Sequence, residues 1–214
     1  MIEDWQYHHE LGHGLIAHIF DGYLMQFNYL TFDESDIEAT KFNSRDLGYT
    51  VALPIINMND IVNDDIQKAS LVDGMYLLSG IIGATYFGKN QIEKSSDITI
   101  NNFKNTLDYR GSDGDFEIIS MARRPYGFLI MNTNLSPMET MELHCKIYNI
   151  LKNLFLIRSI QDGIKRLYEK LIASRKLLPS DFQEVFLSEL TDEFKTELYT
   201  KISKEQFGNL LQAR

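Results

Sequence analysis

The chain has 214 residues, 44% of them apolar, and a formal charge of -9. That is enough for one substantial hydrophobic core, while the acidic balance and the lack of a basic stripe exclude binding through nucleic-acid phosphates. Asp73 interrupts the most apolar stretch, Leu71 to Phe87, and no signal peptide opens the chain, so the expectation is a cytoplasmic protein without a membrane segment, its lone Cys145 a buried small hydrophobe.

In chain order, the first predicted element is a helix from Trp5 to Phe20. Asp4 is placed to cap it, no proline interrupts it, and Leu11, Leu15, Ile16 and Ile19 recur at helical spacing. Inside it lies His9-Glu10-Leu11-Gly12-His13, a His-Glu-x-x-His pattern. At about 3.6 residues per turn, His9 and His13 stand one turn apart and point the same way, so both can hold one metal ion through a ring nitrogen. Glu10 is rotated by about 100° from His9. It is thereby kept out of the ligand set but within reach of a water activated by the ion, where a general base belongs. A zinc hydrolase is the leading reading. Gly12 and Gly14 weaken the helix by up to about 1 kcal/mol each, which is tolerable if another element must come close. The other histidines lack this geometry. One turn after His8 stands Gly12, His18 is turned away from the His9/His13 face, and His144 lies far downstream. His8 and His18 are expected at the surface or supporting the site, and His144 packed or on the surface.

Residues 22 to 56 alternate through Phe27 to Phe32 and Tyr49 to Leu53, which predicts a small sheet or hairpin. The segment Asp46 to Pro54 ends in a proline, as suits an edge strand. Such an edge can take an unfolded polypeptide as an extra strand through backbone hydrogen bonds. Asp64 to Phe87 reads as a helix, Ser95 or Ser96 is placed to cap a further one with Asp97 near its positive end, and the polar tract Asp108 to Asp115 reads as a surface insertion. Ser136-Pro137-Met138-Glu139 combines an N-cap, a first-turn proline and the glutamate of a capping box. It opens a long helix predicted from Met138 to roughly Leu177, on the recurrence of Ile147, Leu151, Leu154 and Phe155. Pro179 ends that run, and Ser180 and Thr191 are placed to start two shorter helices. The expected fold class is mainly α (α+β), with a small sheet near residues 25 to 55 and a helical C-terminal bundle. The expectation is a single domain over residues 1 to 214, with a metal-site portion (1 to 135) and a helical portion (136 to 214).

Three segments stand in an order that points further: His9-Glu10-Leu11-Gly12-His13; Asp46-Leu47-Gly48-Tyr49-Thr50-Val51-Ala52-Leu53-Pro54; and the run from Met75 through Ser79-Gly80-Ile81-Ile82-Gly83 to Phe87-Gly88, followed by Ser95-Ser96-Asp97-Ile98. Together they resemble the peptidase domain of the FtsH-type ATP-dependent zinc metalloproteases. In that family a His-Glu-Ala-Gly-His helix is followed by a Leu-Gly-x-Thr strand bordering the cleft, a Gly-Gly helix, a Phe-Gly turn and a Thr-Gly-Ala-x-Asn-Asp-Leu ligand segment. The resemblance covers about residues 6 to 190. It implies a zincin-like helical peptidase domain, Zn²⁺ held by His9, His13 and Asp97, and Glu10 as the general base. Glu93, four residues before Asp97, is the rival third ligand. The chain departs from the family at Leu11 and Gly14, where alanine is usual. It departs again across Ser79 to Thr85, where an arginine and two acids have become neutral residues.

No Gly-x-x-x-x-Gly-Lys-Ser/Thr phosphate loop occurs, so the expectation is a stand-alone peptidase or an excised domain. Without a motor, the substrates expected are peptides, loops or unfolded chains. The expected partners are a polypeptide substrate, a separate unfoldase or ATPase and, by resemblance to a family that forms hexameric rings, further copies of the chain. Two other functions compete. One is a catalytically silent zinc-binding domain that acts as a protein-binding or regulatory module, against which the intact Glu10 stands. The other is a helical interaction protein without metal, against which the joint order of the three segments stands.

Overall fold

The predicted first helix forms as α1, Asp4–Ile19, and it is buried on nearly every face, from Tyr7 through Leu11, Leu15 and Ile16 to Ile19. A helix with so little polar surface must lie in the interior. Asp4 is the first helical residue, and its carboxylate accepts a hydrogen bond from the Tyr168 hydroxyl at 3.0 Å. The computed structural model describes residues 2, 4–33, 35, 49–54, 64–87, 99, 125–132 and 135–200. Among them the chain is mostly helical, with one small antiparallel sheet.

After α1 the chain turns at Gly22, whose φ of 75° suits a residue without a Cβ, while the Asp21 carboxylate accepts the Phe27 N–H at 2.9 Å. Strand β1, Met25–Thr31, pairs antiparallel with β2, Tyr49–Pro54. The register runs from Met25 opposite Pro54 to Thr31 opposite Tyr49, with a shift between Phe27 and Tyr29. That irregularity resets the alternation, so Met25, Phe27 and Leu30 all face the core. Among the described residues β2 is an edge strand, as predicted from Pro54, because the strand order is β2-β1-β3.

Helix α2, Asp64–Phe87, matches its predicted limits and is packed against α1 on one side and two later helices on the other. The first of these, α3, is Pro125–Asn132, and the buried Asp73 of α2 accepts its Tyr126 backbone N–H at 3.2 Å. The second, α4, is Pro137–Phe155 and begins with the expected capping box: Ser136 Oγ accepts from the Glu139 N–H, and the Glu139 carboxylate accepts from the Ser136 N–H.

The long helix predicted to run to Leu177 is two helices. Leu156 closes α4, Ile157 is extended (φ -65°, ψ 124°), and α5 runs over Arg158–Ser174. No glycine or proline marks the break, and the apolar period continues across it. The turn lets the stripe Ile160, Ile164, Leu167 and Leu171 pack on α1 and on α6 instead of pointing away from the core. Arg175, left-handed at φ 62°, ends α5, and Lys176–Leu177 forms the two-residue strand β3 beside Thr31 and Leu30. Helix α6, Pro179–Phe186, starts one residue before the predicted Ser180. Its cap is supplied by Asp181, whose carboxylate accepts the Leu178 N–H at 2.6 Å. Thr191 does cap α7, Asp192–Thr200, through the Phe194 N–H. The polar tract Asp108 to Asp115 lies outside the described residues.

One cluster of buried apolar side chains runs from Tyr7 to Leu198 and includes Cys145. His144 is buried beside it, its ring 5.6 Å from that of Tyr126, and burial pushes its imidazole down from 6.5 to about 4. The unfolded chain therefore takes up a proton on this histidine near pH 6.5, and the folded chain only near pH 4. Stability is full above that window and is lost as pH falls through it, by up to roughly 3 kcal/mol at this site. His8 and His18, also lowered to about 4 by burial, act in the same window. Chemical unfolding at a series of pH values is expected to show a shallower loss between pH 6.5 and 4 for His144→Leu than for the wild type. Equal slopes would mean that His144 does not carry this linkage.

Candidate metal centre

The site is built where α1 crosses α2 backbone to backbone. A Cβ on Gly12 would lie 2.1 Å from the Ser79 carbonyl oxygen, and one on Gly83 would lie 2.1 Å from the His8 carbonyl oxygen. Any side chain at either position would drive the helices apart. Between them, Gly80 faces the two imidazoles of the motif: its missing Cβ would fall 2.4 Å from His13 Nε2 and 2.7 Å from His9 Cε1. Gly80 thus stands at the point where the two rings need room.

His9 and His13 do project together, as the spacing predicts. Both are buried, their rings are nearly perpendicular, and Nε2 of one faces Nε2 of the other at 3.0 Å. His13 Nδ1 donates to the backbone carbonyl of Tyr76 at 2.7 Å, and Trp5 meets the His9 ring edge-on. The Tyr76 carbonyl can only accept, so the hydrogen on Nδ1 is fixed and the Nε2 side of His13 is turned toward His9. The His13 Nε2 lone pair accepts from the His9 Nε2–H, and a ring anchored through Nδ1 to a carbonyl could also turn this nitrogen to a metal ion. Two Zn–N bonds of about 2.0–2.1 Å at the tetrahedral angle hold their nitrogens about 3.3 Å apart. The pair observed at 3.0 Å is within a few tenths of an ångström of that spacing, so these two residues fit a zinc ion.

Glu10 is half-buried beside the pair, and its carboxylate is not loose. The Thr50 hydroxyl lies 2.7 Å from Glu10 Oε2 and 3.1 Å from the Glu10 carbonyl oxygen. It has a single hydrogen, and the shorter, charged acceptor takes the stronger bond. The Thr50 carbonyl in turn accepts from the Tyr76 hydroxyl at 2.9 Å, and the Tyr76 carbonyl also receives the Ser79 hydroxyl at 2.6 Å. Thr50 and Tyr76 thus join Glu10, His13, α2 and the edge strand. Sequence reasoning did not assign them a role in the site: a hydroxyl 40 residues from its carboxylate leaves no local signal.

Of the remaining histidines, His8 and His144 are buried and His18 is half-buried. His8 stacks on Tyr168 at 4.5 Å, His18 is half-buried against the Phe182 ring, and His144 is packed between α3 and α4. Asp97 and its rival Glu93, with the expected Ser95 or Ser96 cap, lie outside the described residues. Among the described residues no group of three or more His, Cys, Asp or Glu side chains converges as a metal site.

Gly80→Ala isolates the packing requirement. The new methyl meets both imidazoles, so the variant is expected to be less stable by about 1–3 kcal/mol, typical of overpacking. Gly22→Ala, which meets no atom within 4 Å, incurs only the cost of a left-handed backbone and should leave the His9 and His13 rings where they are. Thermal unfolding of both variants, with the imidazole proton resonances of His9 and His13 followed by NMR, checks this. No protein-family model and no curated protein matches the chain, so the chemistry of this site stands on its own geometry.

Proposed function

We propose that the chain is a zinc-dependent endopeptidase of the FtsH-like, zincin type that hydrolyses peptide bonds in unfolded or flexible polypeptides. The observation that carries the reading is the facing pair of imidazoles, with His13 oriented by the Tyr76 carbonyl and Glu10 held next to it by Thr50. His9 and His13 would hold the ion together with Asp97, the residue that the family resemblance assigns as third ligand. Zinc would supply a Lewis acid that polarises the scissile carbonyl and renders a water acidic near neutral pH.

The protein's own groups do the rest. Glu10 takes the proton of the attacking water on its carboxylate and returns it to the leaving amine. His9 and His13 stay fixed through the reaction because their rings are packed against Gly80, Tyr76 and Trp5. Strand β2, on which Thr50 sits, is at the edge of the sheet among the described residues, and such an edge would take an extended polypeptide alongside Glu10. No helix among the described residues is long and apolar enough to cross a membrane. A separate unfoldase and assembly into rings belong to the same reading by resemblance.

Metal content and cleavage of unfolded casein, measured side by side, test it. Wild type is expected to carry one zinc per chain and to cleave. Glu10→Gln should keep the zinc and lose at least about a hundredfold in kcat, as expected for removal of a general base. Asp97→Ala should lose zinc and Glu93→Ala should retain it; the reverse would move the third ligand to Glu93. Zinc without cleavage in wild type would favour the silent binding module, and absence of zinc binding would remove the metal reading altogether.

A further inference from the structure

The circuit that links the base to the first helix also contains a residue that neither binds the ion nor exchanges a proton. We propose that Thr50 is a positioning residue: its hydroxyl sets the orientation of the Glu10 carboxylate, and Tyr76 holds Thr50 in place for that task. The inference rests on the peptidase reading for its kinetic consequence, but the contacts themselves do not depend on it.

Thr50 is 3% exposed, so solvent does not compete for its hydroxyl, and Glu10 Oε2 is 2.7 Å away. A glutamate on a helix has three rotatable side-chain bonds, and an oxygen tied to a buried donor fixes where the other oxygen faces. Its donor is itself anchored at the other end. The Tyr76 hydroxyl binds the Thr50 carbonyl at 2.9 Å while the Tyr76 carbonyl binds His13 Nδ1 at 2.7 Å. One tyrosine therefore sets the orientation of His13 directly and that of Glu10 through Thr50. Because Thr50 lies on the edge strand, displacement of β2 relative to α2 would swing the carboxylate relative to the imidazoles. Misplacing a reacting group by about 1 Å can cost about a hundredfold in rate, so the hydroxyl has leverage well beyond one contact.

The test uses Thr50→Val, which removes the hydroxyl at nearly constant volume, and Thr50→Ser, which restores it. With zinc loaded, Thr50→Val is expected to lower kcat by about ten- to a hundredfold while zinc content, KM and melting temperature stay close to wild type. Thr50→Ser should recover to within about threefold. In the Glu10→Gln background, Thr50→Val should add no further loss, since the two act through one group. A second readout needs neither metal nor turnover: the side-chain carboxyl ¹³C resonance of Glu10 in metal-free protein should shift in Thr50→Val and return in Thr50→Ser. If Thr50→Val does not fold, Thr50→Ala takes its place in both measurements. An unchanged Glu10 resonance, or an unchanged kcat in a cleaving enzyme, overturns the proposal. A wild type that binds zinc without cleaving would refute the peptidase reading instead, and the resonance would still decide whether Thr50 orients Glu10.

Discussion

The close approach of two glycine-bearing helices is the constraint on which the rest depends. With Gly12 against the Ser79 carbonyl and Gly83 against the His8 carbonyl, α1 and α2 touch through their backbones. At that distance the Tyr76 carbonyl of α2 comes within hydrogen-bond reach of a ring nitrogen of α1. Separated by even one methyl layer, the helices would leave His13 without its anchor and give the imidazoles space in which to turn. The weak intrinsic helix propensity of glycine, about 1 kcal/mol per residue, is thus offset by a contact that only glycine allows. The same crossing buries α1 deeply enough that β1, α5 and α6 can pack around it.

Where the sequence was legible, it was so through local signals. The His-Glu-x-x-His spacing placed His9 and His13 on one face, the helical pattern from Asp64 to Phe87 marked α2, and Ser136 with Glu139 marked the start of α4. Each depends on residues within a turn or two of one another, or on one continuous pattern. The break at Leu156–Ile157 was hidden because its cause is tertiary: the apolar period is unbroken, and only the need to fold α5 back onto α1 and α6 interrupts it. Thr50 was visible as part of an edge strand but not as a partner of Glu10, because a pattern along the chain records which face a residue is on and not what lies opposite. Of the two places expected for His8, at the surface or supporting the site, its burial rules out the first, for a related reason. It lies outside the His9/His13 pair, yet α5 brings Tyr168 over it.

The histidines also show what distinguishes a site from a core. His8 stacks on a tyrosine, His18 lies against Phe182, and His144 lies beside Tyr126; each of the three is lowered to about 4 by burial. These rings pack as aromatic filler, and the protein stays stable by keeping them neutral. His9 and His13 are arranged differently, with two nitrogens directed at each other at 3.0 Å. With the His13 hydrogen on Nδ1, its Nε2 lone pair accepts from the Nε2–H of a neutral His9, so the two rings are tied to each other and not only packed.

That difference bears on the plain alternative of a core helix with incidental histidines. Such a helix would gain by filling the space between α1 and α2 with aliphatic side chains, which bury area without polar atoms to satisfy. Here the position facing both rings is Gly80, and the next hydrogen-bonding shell is spent on orientation: Tyr76 on His13, Thr50 on Glu10. A buried network of this kind stabilises little over an apolar core, yet it holds a carboxylate and two imidazoles in one geometry. That fixed geometry, with a carboxylate and two imidazoles tied to one tyrosine, is the structural feature on which the proposed chemistry rests.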